Sequence, residues 1–187
     1  MKLVLATQNP KKLKEMNEIL SHLGVEVVSE AELGMRIEVE ETGDTFTDNA
    51  RLKATAVMQA TGLPAVADDS GLCVDALNGG PGVYSARFGG EGLDDKGRYT
   101  LLLEMLRGQT DRAAHFHTSI VCAFPNGDEL VCEGECPGTI AFAPMGEGGF
   151  GYDPVFFVPE LRKTFGQLTA EEKASVSHRG KALRAFA

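Results

Sequence analysis

The stretch Leu63–Val74 constrains the fold of this chain more than any other. Two apolar runs in it flank Asp68 and Asp69, and short apolar runs of this kind are typical of strands. Because side chains alternate along a strand, we expect the two carboxylates to point to opposite sides. A buried, unpaired carboxylate is costly, and Mg²⁺ prefers carboxylate oxygens. The pair therefore indicates a metal site or, as the plainer alternative, a polar turn on the surface.

Length, charge and cysteine usage limit the class of protein. A chain of 187 residues is expected to form one domain, covering residues 1–187, with a substantial core. Its net charge of −9 argues against a protein that coats nucleic acid. No apolar run approaches about 18 residues, so no membrane span is expected. The four cysteines contain no Cys-x-x-Cys pair and are typical of reduced thiols in a cytosolic protein.

The N-terminal segment predicts a strand at 2–6, then a loop, then a helix. Asn9 is a good N-cap and Pro10 suits the first helical position. Lys11 and Lys12 lie in the first turn, where a cation is unfavourable by roughly 0.3–1 kcal/mol. A bound anion would reverse that penalty, whereas two solvated lysines are the alternative. The candidate phosphate loop consists of Thr7, Gln8, Asn9, Pro10, Lys11 and Lys12.

A second acidic segment precedes the next predicted helix. A second strand is expected at 25–28. Residues 35–40 alternate in hydropathy and predict a third strand, with Glu40 facing away from the core. Thr45 is expected to cap the helix that follows. Asn49 and Lys53 lie four residues apart on that helix and could reach a ligand, but a solvated face is the favoured interpretation of both.

The remaining elements predict an α/β chain. A helix is expected at 99–106, and alternating strands at 115–124 and 130–132, with a tight hairpin turn at Asn126–Gly127. A further strand is expected at 138–143. Early strands alternate with helices while later ones look antiparallel, so we expect a mixed β-sheet flanked by helices, in two lobes around a central cleft.

A glycine-rich loop near the C-terminus carries two aromatic residues. Residues 146–151 formally match G-x-G-x-x-G, but no helix follows, so a dinucleotide fingerprint is excluded. Glycines that allow close approach, beside Phe150 and Tyr152, suit a flat ring. Further on, 169–172 is a capping box that places Lys173 on a helix, and Ser177 is expected to start the last helix.

Six stretches, in order over nearly the whole chain, resemble the inosine triphosphate pyrophosphatase family. They are Ala6-Thr7-x-Asn9-x-x-Lys12, Glu40-Glu41-Thr42-Gly43-x-Thr45-Phe46, Ala67–Leu72, Pro81–Arg87, Gly148–Pro154, and Glu172-Lys173 with Ser177-His178-Arg179. The resemblance implies hydrolysis of ITP, dITP and XTP to the monophosphate and pyrophosphate, which cleanses the nucleotide pool. It also implies Mg²⁺ dependence and a cytosolic homodimer with two lobes around a deep cleft.

The residue chemistry agrees with that reaction, which needs a base, a positioned water and charge neutralisation. Asp69 is the candidate base and metal ligand, and Asp68 supports either the metal or only the fold. Glu40 is preferred to Glu41 as a metal ligand because Glu41 would share a face with the core. The candidate substrate-binding residues outside the phosphate loop are Ser70, Phe150, Gly151, Tyr152, Asp153, Lys173, His178 and Arg179, with Lys173 on the phosphates and His178 and Arg179 reading the base.

Two other functions stay open at this point. One is a pyrophosphatase for a different abnormal nucleotide, such as a modified pyrimidine. The other is a nucleotide-binding regulator without turnover, against which the number of acidic residues argues. For a purine substrate, donors on His178 and Arg179 would bond the 6-oxygen of hypoxanthine or xanthine and would oppose the amino group of adenine.

Overall fold

A computed structural model describes residues 1–186 of the chain as an α/β protein. The strands are β1 Lys2–Leu5, β2 Glu26–Ser29, β3 Ala65–Val74, β4 Gly80–Pro81, β5 Ala113–Ala123, β6 Glu129–Ile140, β7 Phe156–Val158 and β8 Lys163–Thr164. The α-helices are α1 Pro10–Leu20, α2 Phe46–Thr61, α3 Asp95–Met105, α4 Ala170–Val176 and α5 His178–Phe186. Among these residues, no helix has the length and apolar character needed to cross a membrane.

The strands form one mixed sheet, as predicted. Their order is β2-β1-β3-β5-β6-β7-β8, with β4 beside β3. Strand β1 pairs in parallel with β2 and with β3, which the helical crossovers α1 and α2 permit. The pairs β3–β4, β6–β7 and β7–β8 are antiparallel. The α/β class and the mixed sheet are therefore confirmed.

Strand β3 carries the acidic pair. The two apolar runs predicted around Asp68 and Asp69 are one continuous ten-residue strand. Both carboxylates are buried, so the alternative of a surface turn is wrong. Side chains bond their backbone: the carbonyl of Asp68 accepts from Nζ of Lys53 at 2.6 Å, and that of Asp69 accepts from Oγ1 of Thr118 at 3.4 Å.

The third strand predicted at 35–40 is wrong. The segment belongs to no strand, although its hydropathy alternates. Side chains bond its backbone at Ile37: the N–H of Ile37 donates to Oε2 of Glu30 at 2.9 Å, and the carbonyl of Ile37 accepts from Nε2 of Gln8 at 3.2 Å. Alternation reports which side chains face the core, whereas a strand also needs a neighbouring strand to bond its backbone.

The later elements differ from the predictions mainly at their ends. The hairpin turn at Asn126–Gly127 is confirmed, since the N–H of Phe124 donates to the carbonyl of Asp128 at 3.0 Å. The separate strand predicted at 138–143 is wrong, because β6 runs without interruption from Glu129 to Ile140. Helix α3 begins earlier than predicted, since Oδ1 of Asp94 caps it by accepting from the N–H of Gly97.

The chain divides into two compact units, which agrees with the two predicted lobes. Unit 1 contains Met1–Asp69, Thr118–Gly134 and the described chain from Arg179; unit 2 contains Ser70–His117 and Glu135–His178. In unit 1, α1 packs Met16 and Leu20 on the face of the sheet that carries Leu3 and Leu5. The opposite face, which carries Val4, Ala65 and Ala67, packs against Ala50, Ala54 and Val57 of α2.

Unit 2 has a core of its own built largely from aromatic residues. Phe116 of β5, Phe156 of β7 and Phe165 lie with ring centroids 4.5–5.4 Å apart. Aromatic pairs at this distance contribute beyond the area they bury. Arg112 is also buried and donates to the carbonyls of Leu106, Ile140 and Ala141, so its charge is used for structure.

Candidate active site

Alternation along β3 places the two carboxylates of unit 1 in different surroundings. Val66 lies on the face that packs against α1 and α5, and Ala65 and Ala67 lie on the face that packs against α2. Asp68 shares the first face and Asp69 the second, because side chains repeat every two residues in a strand. The prediction that the pair points to opposite sides is confirmed by the partners of each residue.

Asp68 is surrounded by cations. Its Oδ2 atom lies 3.4 Å from Nζ of Lys12 on α1 and accepts from Nε of Arg179 on α5 at 3.3 Å. Arg179 also donates to Oε2 of Glu15. Burial acts to lower the pKa of Arg179, but Asp68 and Glu15 outweigh it and raise that pKa. These ion pairs favour a role for Asp68 in holding two cations rather than in exposing a free carboxylate.

The ion pair changes the interpretation of the phosphate loop. Oδ1 of Asn9 accepts from the N–H groups of Lys11 and Lys12 at 3.0 and 3.4 Å, so the N-cap prediction is confirmed. Lys11 is exposed, whereas Lys12 is largely buried beside Asp68. Burial is the main cause that lowers the pKa of Lys12. Asp68 therefore offsets the penalty of a cation at this helix start.

Asp69 lies beside α2. Its Oδ2 atom accepts from Nδ2 of Asn49 at 3.2 Å, and its Oδ1 atom lies 3.9 Å from Nζ of Lys53. Lys53 in turn donates to the carbonyl of Asp68 at 2.6 Å and lies 3.6 Å from Oε1 of Glu41. Burial raises the pKa of Asp69 to about 6, and the negative charge of Glu41 acts in the same direction, whereas Lys53 and Asn49 oppose them.

Two of the residues around Asp69 were misjudged from the sequence. The solvated face expected for Asn49 and Lys53 is wrong, because Asn49 is fully buried and Lys53 is mostly buried. Their spacing of four residues on one helix face was the available signal. This spacing indicates a functional pair only when β3 is known to pack against that face of α2.

The acidic segment ahead of α2 raises the choice between Glu40 and Glu41. Glu40 is exposed, and Glu41 is the one paired with Lys53. The preference for Glu40 assumed a strand at 35–40, which does not form, so that argument no longer holds. Within residues 1–186, no group of three or more His, Cys, Asp or Glu side chains is arranged to hold a metal ion.

Unit 2 holds the second group of candidate residues. Nζ of Lys173 on α4 donates to Oδ2 of Asp153 at 2.8 Å and lies 4.7 Å from the ring centroid of Phe150. The same Oδ2 atom accepts from the N–H of Phe150 at 3.0 Å. Gly149 has φ +70°, and a Cβ there would overlap Asp153. The glycine is therefore required for this close approach.

The other candidate residues of unit 2 are also packed. His178 stacks on Phe116 with 4.7 Å between ring centroids. The hydroxyl of Tyr152 donates to the carbonyl of Ser85 at 2.7 Å, and its ring is buried. Ser70 follows Asp69 in β3 and is half-buried, and Gly151 donates its N–H to Asp95 at 2.9 Å. Of the two aromatic side chains in this loop, Phe150 is therefore the one that is partly exposed, whereas Tyr152 is buried.

The fold and these contacts define an α/β protein whose mixed sheet carries two buried carboxylates beside lysine and arginine side chains. Residues 3–187 match the model of the Ham1 family. The chain is 52 % identical to a dITP/XTP pyrophosphatase of Exiguobacterium, covering 98 % of this chain and 94 % of the relative. It is 54 % identical to a dITP/XTP pyrophosphatase of Thermus thermophilus, covering 100 % and 90 %.

A solved structure agrees with these sequence matches. The HAM1 protein of Coxiella burnetii superimposes with a TM-score of 0.91 at 43 % identity, covering 100 % of this chain and 96 % of that one. This chain belongs to the Ham1 family. The resemblance found in the sequence is therefore confirmed.

Proposed function

We propose that this protein hydrolyses abnormal purine nucleoside triphosphates, namely ITP, dITP and XTP, to the nucleoside monophosphate and pyrophosphate. The similarity to dITP/XTP pyrophosphatases over almost the whole chain supports this substrate class. The structural observation that carries the proposal is the carboxylate of Asp69, which is 6 % exposed and has its pKa raised to about 6 by burial. A base with a pKa near the working pH is well suited to take a proton from water.

The proposed step is attack of water on the α-phosphorus. Asp69 accepts a proton from the water as its oxygen bonds to phosphorus. The bond from the α-phosphorus to the bridging oxygen breaks, and its electron pair leaves with pyrophosphate. Positioned charges that match the developing negative charge make the largest contribution to steps of this kind.

The acidic residues of unit 1 fit a magnesium ion. Mg²⁺ binds through one or two carboxylates and keeps waters and substrate phosphates as its other ligands. Burial is the main cause that raises the pKa of Asp69, and the negative charge of Glu41 acts in the same direction. A carboxylate whose ionised form is disfavoured by a second carboxylate is suited to a cation. We propose that Asp69 and one of the two glutamates at 40 and 41 bind this ion. Glu41 is the glutamate that lies beside Lys53. The role of Glu40 as a metal ligand stays a prediction. When bound, the ion would neutralise charge on the phosphates.

The cations and the aromatic loop have separate proposed roles. Lys12, on the helix that follows the Thr7–Asn9 loop, is proposed to bind the phosphates, and so is Lys53, which the sequence did not select. In unit 2, Phe150 is proposed to stack on the base, while Asp153 and Lys173 fix the loop that carries it. His178 and Arg179 are proposed to read the 6-oxygen, although each already packs or pairs within its own unit.

We also propose that the chain is a single-domain cytosolic enzyme that acts as a homodimer on a small nucleotide, without nucleic acid or membrane. The net charge of −9 supports the exclusion of nucleic acid. Light scattering after size-exclusion chromatography should give twice the monomer mass, and a monomer would contradict the dimer.

Release of pyrophosphate from a panel of nucleotides tests the proposed function. Each triphosphate is incubated with the protein and Mg²⁺, and pyrophosphate is measured directly. We expect ITP, dITP and XTP to exceed ATP by on the order of 10²–10⁴ in kcat/KM, since an unpaired buried donor costs about 1–3 kcal/mol and two clashes with the 6-amino group combine. GTP shares the 6-oxygen, so we expect its 2-amino group to be the feature that excludes it. Preference for a modified pyrimidine triphosphate, or binding of ITP without turnover, would contradict the proposal.

A further inference from the structure

Asn49 is fully buried in the first part of α2, and both ends of its amide are bonded. Its Oδ1 atom accepts from the N–H of Gly43 at 2.7 Å, and its Nδ2 group donates to Oδ2 of Asp69 at 3.2 Å. A backbone N–H can only donate and an ionised carboxylate can only accept. These two partners therefore fix which end of the amide faces which neighbour.

The amide gives the two oxygens of Asp69 different surroundings. Oδ2 is occupied by the hydrogen bond from Asn49, while Oδ1 lies 3.9 Å from Nζ of Lys53. Lys53 is the residue that also pairs with Glu41. A carboxylate held through one oxygen cannot rotate freely, so Oδ1 is kept on the side of Lys53 and Glu41.

The other end of the amide holds the turn that follows Glu41. A Cβ built on Gly43 would lie 2.7 Å from Oδ1 of Asn49 and 2.7 Å from Cβ of Asp48. Real Cβ atoms do not approach other atoms so closely, so this short contact requires glycine at position 43. One buried amide thus connects the acidic segment with the acidic strand.

We propose that Asn49 is a positioning residue that holds Asp69 through Oδ2, leaves Oδ1 as the oxygen that receives the proton from water, and fixes the Gly43 turn so that Glu41 stays near it. The inference rests on the proposed function for the catalytic part of this role. Partners of this kind typically contribute 10–100-fold to activity without touching the substrate.

Kinetics of three variants test the role. Asn49→Ala is expected to lower kcat for ITP on the order of 10–100-fold, with KM within about twofold, because the loss concerns the transition state and not substrate binding. Asn49→Asp keeps the shape and the acceptor for Gly43 but loses the donor, so it should show the same kcat-specific loss. Gln59→Ala removes an exposed amide from the same helix and should match the wild type.

A kcat for Asn49→Asp equal to that of the wild type would overturn the proposal, as would a loss confined to KM. Should Asn49→Ala fail to fold, Gly43→Ala tests the same contact from its other side. The added Cβ must displace the Asn49 amide, so a kcat-specific loss is again expected. Unchanged kinetics in a folded Gly43→Ala protein would also overturn the proposal.

A measurement without turnover separates this inference from the proposed function. In the NMR spectrum of the intact protein without nucleotide or metal, one Nδ2 proton of Asn49 should lie downfield and exchange slowly with water. Asp69→Ala should remove both properties, whereas Gln59→Ala should leave them. An unprotected Asn49 amide overturns the positioning role even if ITP is hydrolysed. If the Asn49 amide is protected but the protein does not hydrolyse ITP, the proposed function is refuted and the positioning of Asp69 by Asn49 still holds.

Discussion

Nζ of Lys53 lies 3.9 Å from Oδ1 of Asp69 while it donates a 2.6 Å hydrogen bond to the carbonyl of Asp68. This placement brings a cation to the side of β3 that carries the candidate base. Lys53 acts to lower the pKa of Asp69, yet burial prevails and the pKa rises to about 6. The carboxylate is thus held in a state from which it can accept a proton.

The first prediction concerns Asp69→Asn, which keeps the shape of the side chain but cannot act as a base. We expect kcat for ITP to fall on the order of 10²–10⁴-fold while the circular dichroism spectrum stays unchanged. Near-wild-type turnover by a folded variant would remove Asp69 from the mechanism.

The same variant also makes a prediction about stability. The pKa of Asp69 is raised from 3.8 in the unfolded chain to about 6, so the folded state binds this proton more tightly. The contribution of Asp69 to the free energy of unfolding therefore falls by roughly 3 kcal/mol as pH rises from about 4 to about 6. It stays low at higher pH. Without metal, Asp69→Asn should raise Tm more at pH 7.5 than at pH 4.5. An equal change at both pH values would contradict the raised pKa.

Glu41→Gln should move the pH profile of the reaction. Turnover rises with pH as the candidate base loses its proton, and the charge of Glu41 acts to raise the pKa of Asp69. Removing that charge should shift the acidic limb of kcat/KM to lower pH. Glu38→Gln is the matched control, because Glu38 is exposed and pairs with Arg36. Equal shifts in both variants would refute a specific effect of Glu41.

Lys12→Ala tests the phosphate-binding role of the first helix. We expect KM for ITP to rise more than stability falls, since Asp68 keeps Arg179 as a second cation. Lys14→Ala is the control, because Lys14 is an exposed lysine of the same helix outside the candidate phosphate loop. An unchanged KM and kcat in Lys12→Ala would show that Lys12 serves only to pair with Asp68.

Arg179→Ala separates base reading from structure. The variant leaves the carboxylates of Asp68 and Glu15 without the guanidinium, so the free energy of unfolding should fall by about 3–5 kcal/mol. The preference for ITP over ATP in kcat/KM should also narrow. Glu15→Gln weakens the same ion-pair group while the Arg179 side chain stays in place. A lower Tm in both variants, with the ITP preference intact in both, would show that Arg179 is structural.

Local sequence patterns predicted the elements whose determinants lie close together in the chain. The cap at Asn9, the hairpin at Asn126–Gly127 and the capping box at Thr169 were all confirmed. Opposite orientation of Asp68 and Asp69 also follows from strand geometry alone. These features depend on side chains within a few residues of one another.

Features set by distant partners could not be read from the sequence. The segment 35–40 alternates like a strand, but its backbone bonds to Glu30 and Gln8. Asn49 and Lys53 resemble a solvated helix face until β3 is placed against α2. Arg179, selected for base reading, pairs with Asp68, which is 111 residues away in the chain. Tertiary packing decides each of these cases.

Hydrolysis of ITP in ¹⁸O-labelled water tests the central claim most directly. Attack of water on the α-phosphorus places the label in the monophosphate and leaves pyrophosphate unlabelled. We therefore predict singly labelled IMP with unlabelled pyrophosphate, formed from ITP far faster than AMP is formed from ATP. Label in pyrophosphate, release of IDP with labelled inorganic phosphate, or equal rates with ATP would contradict the account.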